Sequence, residues 1–195
     1  MTGDTEKESL VPSAAKSLRA VPTQSSELER LFQDHHKHLF RAAHRITGSV
    51  ADAEDVLQTV FLRLVRSNLS YDLTENPQAY LSRAAINAAL DLIRSRGRAK
   101  AIGLEDAPVE LMAVKSANPE NLHADRELQK LIRQAVSRLG STAGEMFALR
   151  YYEGFDNREI AKLMGTSQMV VGVVLHRART KLRKEIGRYL EKHHE

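Results

Sequence analysis

Asp156 to Lys184 reads DNREIAKLMGTSQMVVGVVLHRARTKLRK, and the spacing within it decides the fold. Asp156 and Glu159 stand three residues apart ahead of an apolar run, the pattern of a capping box in which side chains and backbone donors at a helix start satisfy one another. Ile160, Ala161, Leu163 and Met164 then mark the inward side of a short helix, which Gly165 stops four residues after Ala161. A longer helix follows within three residues, with Val171 and Val174 placed to pack back into the corner. A small residue followed four positions later by a glycine turn lets two helices cross closely, which is the arithmetic of a helix-turn-helix. Arg177, Arg179, Lys181, Arg183, Lys184 and Arg188 crowd one segment of the second helix, so this end of the chain suits a polyanionic partner.

Working outward, helical signals fill the rest of the ordered sequence. Ser26 and Glu29 open a helix that carries Leu28, Leu31, Phe32, Leu39, Ala43 and Ile46 and stops at Gly48. Ser49 caps a second, in which Ala53, Val56, Leu57, Val60, Phe61, Leu64 and Val65 repeat at three-four spacing. Asn76-Pro77 starts a third that runs towards Gly97, Asn118-Pro119 a fourth, and Ser141 to Tyr152 forms a fifth. With no alternating strand pattern, the expected fold is all-α: two small helical domains joined by a flexible linker, the C-terminal one containing the helix-turn-helix. The boundaries are a disordered tail over 1–25, a first domain over 26–98, a linker with Gly103 and Pro108 over 99–118, and a second domain over 119–195.

Composition narrows the chemistry. The 195 residues include no cysteine, which removes disulfides, thiolate metal sites and cysteine nucleophiles. No apolar run reaches the roughly 18 residues of a membrane span, and the N-terminus lacks the hydrophobic stretch of a signal peptide, so no membrane insertion and a cytoplasmic location are expected. Net charge is +4, concentrated towards the C-terminal end. His35, His36, His38 and His44 would be an enzyme's best argument, but the first three share no i, i+4 pair, and they read as helix-surface groups with no metal, cofactor or catalytic role.

Two sets of residues stand out as candidate DNA contacts. On the helix-turn-helix, Ser167, Gln168, Met169, Gly172 and Val173 fall where a recognition helix meets the major groove, and His176, Arg177, Arg179 and Lys181 lie along the phosphates. Glutamine can hold adenine bidentately, and apolar groups can meet a thymine methyl. On the third helix Arg83, Asn87, Asp91, Arg94 and Arg98 are separated by four, four, three and four residues and line one face. That face suits nucleic acid, or else Asn87 or Asp91 simply pairs with the neighbouring arginines.

The run DAEDVLQTVFLRLV over 52–65, the helix AYLSRAAINAALDLIRSRGR over 79–98 and the C-terminal FALRYYEGFDNREIAKLMGTS with LHRARTKLRKEI together resemble regions two and four of an extracytoplasmic-function sigma factor. The resemblance implies that the first domain docks on core RNA polymerase and opens the minus-ten element, and that the second reads the minus-thirty-five element. It implies core-binding roles for Asp52, Asp55 and Gln58, which match DAED-x-x-Q, and promoter melting for Asn87, Asp91 and Arg94. It also implies capture of a flipped base in the loop 67–75, where Asn68 lies. Its partners are core polymerase, double-stranded and locally melted promoter DNA, and an anti-sigma factor. The chain departs from the family where tryptophan is common, with Val65 and Tyr80 instead. It departs again in the recognition helix, where Val170, Val171, Gly172, Val173 and Val174 replace a polar and basic segment. A sigma-like protein that binds an anti-sigma factor without reading DNA is the alternative; a stand-alone repressor leaves the DAED-x-x-Q helix unexplained.

Overall fold

A computed structural model describes residues 24–66, 76–101 and 119–193. These form seven helices: α1 (Gln24–Thr47), α2 (Val50–Arg66), α3 (Pro77–Ala101), α4 (Pro119–Ser137), α5 (Ser141–Tyr151), α6 (Asn157–Met164) and α7 (Gln168–His193). No strand occurs among the described residues. Two of the caps that the sequence predicts, at Ser49 and Asn76, are made. Ser49 Oγ accepts the Asp52 N–H at 3.3 Å and Asn76 Oδ1 the Ala79 N–H at 3.0 Å, each satisfying a donor that the helix itself leaves free.

Two ends differ from expectation. Helix α1 begins at Gln24, ahead of Ser26, and α3 runs through Gly97 to Ala101. Gly97 keeps a helical backbone, whereas the glycines that end elements here, Gly48, Gly154 and Gly165, have φ of 73°, 80° and 62°. A glycine stops a helix by turning left-handed, and one that does not only weakens it, by about 1 kcal/mol.

Helices α1, α2 and α3 pack on one another around Leu39, Ile46, Val60, Leu81, Ile86 and Leu90, all 2% exposed or less. The C-terminal helices close around Val136, Met146, Leu149, Ile160 and Val171. These are not separate cores. Helix α3 lies against α5, so buried residues of both halves join in one apolar cluster. Gly144 permits the approach: a Cβ there would stand 2.8 Å from Arg94 Nη2 and 3.4 Å from Leu90 Cδ1. Halves too small to bury much surface alone gain it from each other. Of the expected tail 1–25 only 24–25 are described, as the start of α1, and of the expected linker 99–118 only 99–101, as the end of α3; residues 1–23 and 102–118 fall outside the described residues.

Candidate nucleic-acid and polymerase interfaces

The helix-turn-helix forms as its spacing requires. Asp156 Oδ1 accepts the N–H of Arg158 at 2.7 Å and of Glu159 at 2.8 Å, while Glu159 Oε2 accepts the Asp156 N–H at 2.7 Å. Gly165 turns left-handed, and the Thr166 N–H closes on the Ala161 carbonyl at 2.9 Å. Ser167 Oγ then accepts the Val170 N–H at 3.3 Å and starts α7. Val171, Leu175, Ala178 and Leu182 are buried, three or four residues apart, and this fixes the rotation of α7 about its axis. Ser167, Gln168, Met169 and Val173 are therefore exposed, with Gly172 partly so, and His176, Arg177 and Arg179 follow along the open side. Lys181 is exposed too, but its Nζ donates to the Arg138 carbonyl at 2.9 Å, just beyond the end of α4.

The stripe on α3 is placed differently from its expected exposure. Arg83 faces the C-terminal half, its Nε 2.5 Å from Glu145 Oε1 and its Nη1 donating to the Leu163 carbonyl at 2.6 Å. Arg94 donates to the carbonyls of Ser137 at 3.1 Å and Leu139 at 3.3 Å, where the negative end of α4 favours a cation. It also stands 3.6 Å from Asp91, the intrastripe pairing considered above. Asn87 is half-buried, and Asp91 and Arg98 are exposed.

A second polar cluster joins the halves beside it. The Glu153 carboxylate, 1% exposed, lies 2.6 Å from His38 Nε2, 3.7 Å from Arg45 Nη1 and 3.5 Å from Ser82 Oγ. Arg45 also donates to the Tyr152 carbonyl. Burial pushes the Tyr152 phenol above its ordinary range, against the pull of Arg133 and Arg45, and lowers the Arg133 guanidinium from its own. His38 is thus an interface group, a correction to its expected place on a free helix surface. Its partners lie on other helices, and no spacing within α1 could show them. Glu145 did leave a trace: it is the acid within the otherwise apolar buried run Gly144, Met146, Ala148 and Leu149 of α5, and such a group needs a cation.

On α2 the acidic set divides. Asp52 is 5% exposed and pairs with Arg96 of α3, so it ties two helices together instead of facing outward. Asp55 and Gln58 are exposed. Gln58 borders an apolar groove of about 520 Å³ with Phe32, Glu54, Leu57, Phe61, Leu62 and Val65. Leu62 and Val65 are 53% and 56% exposed, which large apolar side chains seldom are unless something covers them. Asn68 and the loop 67–75 lie outside the described residues. Among the described residues no group of three or more potential ligands is placed to hold a metal, and no helix is long and apolar enough to cross a membrane.

Comparison with known proteins gives this arrangement a family. Residues 31–99 match Sigma-70 region 2, and residues 129–182 match Sigma-70 region 4. The RNA polymerase sigma-E factor of Streptomyces avermitilis is 30% identical over 164 residues, covering 82% of this chain and 85% of the relative. The ECF RNA polymerase sigma factor SigE of Mycolicibacterium smegmatis is 30% identical over 165 residues. The chain belongs to the extracytoplasmic-function sigma factors. This sigma factor spans 62% of the length of that SigE, with 85% of its own chain aligned. Two solved structures share its fold: RpoE in complex with the anti-sigma factor NepR from Bartonella quintana, and CnrH in complex with the cytosolic domain of CnrY. The first has a TM-score of 0.55 at 18% identity over 83% of this chain and 97% of that one; the second has 0.53 at 22% over 83% and 88%. Region two of this sigma factor thus carries the α2 groove and the α3 stripe, and region four the helix-turn-helix.

Proposed function

We propose that this sigma factor is a dissociable specificity subunit that binds bacterial core RNA polymerase and directs promoter recognition and initiation in the cytoplasm, itself making and breaking no bond. The first half, 26–98, docks through the exposed side of α2, where Asp55 and Gln58 flank the apolar groove, and its α3 stripe of Arg83, Asn87, Asp91, Arg94 and Arg98 holds melted DNA. The second half, 119–195, places α7 in the major groove of the upstream element with Arg177 and Arg179 along the phosphates. The observation that carries this reading is α7 itself: a capped helix-turn-helix whose free side runs from uncharged residues at its N-terminal end into an exposed basic segment. An anti-sigma factor is its expected antagonist, since the two solved structures named above are complexes with one or with a partner's cytosolic domain.

Because Arg83 and Arg94 are engaged by region four, the halves must separate before α3 meets a strand. Reconstituted transcription tests the proposal. Core polymerase plus the purified chain should yield promoter-dependent transcripts from a promoter library; failure to associate with core at micromolar concentration would sink it. Tight binding to an anti-sigma domain with no transcripts at all would favour the non-reading alternative.

A further inference from the structure

The recognition end of α7 is unusual for a DNA reader. Its outward positions are Met169, Val170 and Val173, which are 80%, 46% and 44% exposed. Gly172 lies among them, and a Cβ there would find only Asn157 Nδ2 at 3.9 Å, so the surface around it is open. No cation stands in this stretch; the basic residues begin at Arg177, one to two turns later on the same helix. An apolar face of this kind is stable in water only if it is small or has a partner. The cations continuing the same exposed side select that partner's charge. They favour a polyanion, and they oppose a second copy of this chain, which would bring its own Arg177 and Arg179 into the contact.

The major groove presents one apolar group on a base edge, the thymine C5 methyl. Resting on the reading of region four as the upstream-element binder, we infer that this sigma factor recognises a thymine-containing element by packing Met169, Val170 and Val173 against thymine methyls. Gln168, exposed at the first turn, supplies an adenine contact beside them. Arg177 and Arg179 supply affinity that is blind to sequence. Specificity here is carried by shape and van der Waals contact, and it is insensitive to salt although total affinity is not.

The test uses the holoenzyme, core polymerase with the full chain. A preferred upstream element is selected from randomised duplexes, and each thymine in it is then replaced by deoxyuridine, which deletes the methyl and nothing else. Each contacted methyl should contribute about fourfold in affinity, the value for one buried methylene-sized group. Val173→Ala should abolish the uracil effect at one position while binding the uracil duplex as before. Arg177→Ala should weaken thymine and uracil duplexes alike. Gly172→Lys should bind both more tightly, steepen the salt dependence and shrink the ratio between them.

Selective binding with no uracil effect would overturn the inference and leave region four a DNA reader. Loss of all upstream selectivity in a holoenzyme that still assembles would overturn the reading beneath it. A chain that dimerises, and is returned to monomer by Met169→Asp, would assign the face to a second copy and overturn the inference as well.

Discussion

Asp52 and Asp55 sit three residues apart on α2 in different surroundings, the first buried and the second exposed. Asp52 is turned inward on Arg96, whose side chain is 44% exposed, so water screens the pair and its loss costs about 1 kcal/mol. Asp52→Ala should therefore lower the melting temperature by a few degrees, while Asp55→Ala should leave melting unchanged and weaken association with core polymerase in a binding titration. The reverse pattern would exchange their roles. Spacing on α2 put both aspartates in one motif, but the burial of Asp52 depends on an arginine 44 residues away, which no pattern within one helix reveals. Gly48 is a second case. Its φ of +73° makes Gly48→Ala unfavourable, whereas the Arg133 guanidinium, 2.7 Å from where a Cβ would stand, can swing aside. Backbone strain alone contributes about 1–2 kcal/mol, readable as a lower urea midpoint with an unchanged slope.

At the scale of elements, the starts and stops were legible because they are local chemistry. Asp156 with Glu159, Ser49, and Asn76 with Pro77 each satisfy a helix end with atoms within three residues of it, and the structure makes every one of those bonds. Gly97 misled for the same reason: the residue type advertises a stop, but only a left-handed backbone delivers one. The α3 stripe was legible as a stripe and not as an interface, since four-residue spacing states which side chains share a face and not what that face meets. Asp156→Ala should destabilise region four by about 1 kcal/mol in chemical denaturation, the usual worth of an N-cap. Asn87→Ala, a change at the half-buried centre of the stripe, should reduce promoter opening in permanganate footprints while core binding stays intact; losing both would count against a melting role for α3.

At the scale of the whole molecule, two buried carboxylates of the C-terminal half, Glu145 and Glu153, hold cations and polar groups of the N-terminal half. Leu90 and Gly144 bring α3 and α5 into apolar contact beside them. Glu145→Gln with Glu153→Gln should loosen this closure, raising the radius of gyration in small-angle scattering and letting the free chain bind promoter DNA more tightly. An unchanged radius would mean that the apolar contact suffices to keep the halves together. Beyond the trace left by Glu145, little of this was readable from the sequence, where the halves appear as independent modules on a tether, because the residues that join them lie 43 to 115 positions apart along the chain.

Arg83 has a single guanidinium, and in the closed form Glu145 is already its counterion. On the DNA-holding role proposed for the α3 stripe, carboxylate and phosphodiester are therefore rivals for one site. A population about 99% shut would show an apparent strand affinity about a hundredfold below that of its open form. By thermodynamic reciprocity, any ligand that prefers the opened chain strengthens strand capture to the extent of that preference without touching a nucleotide.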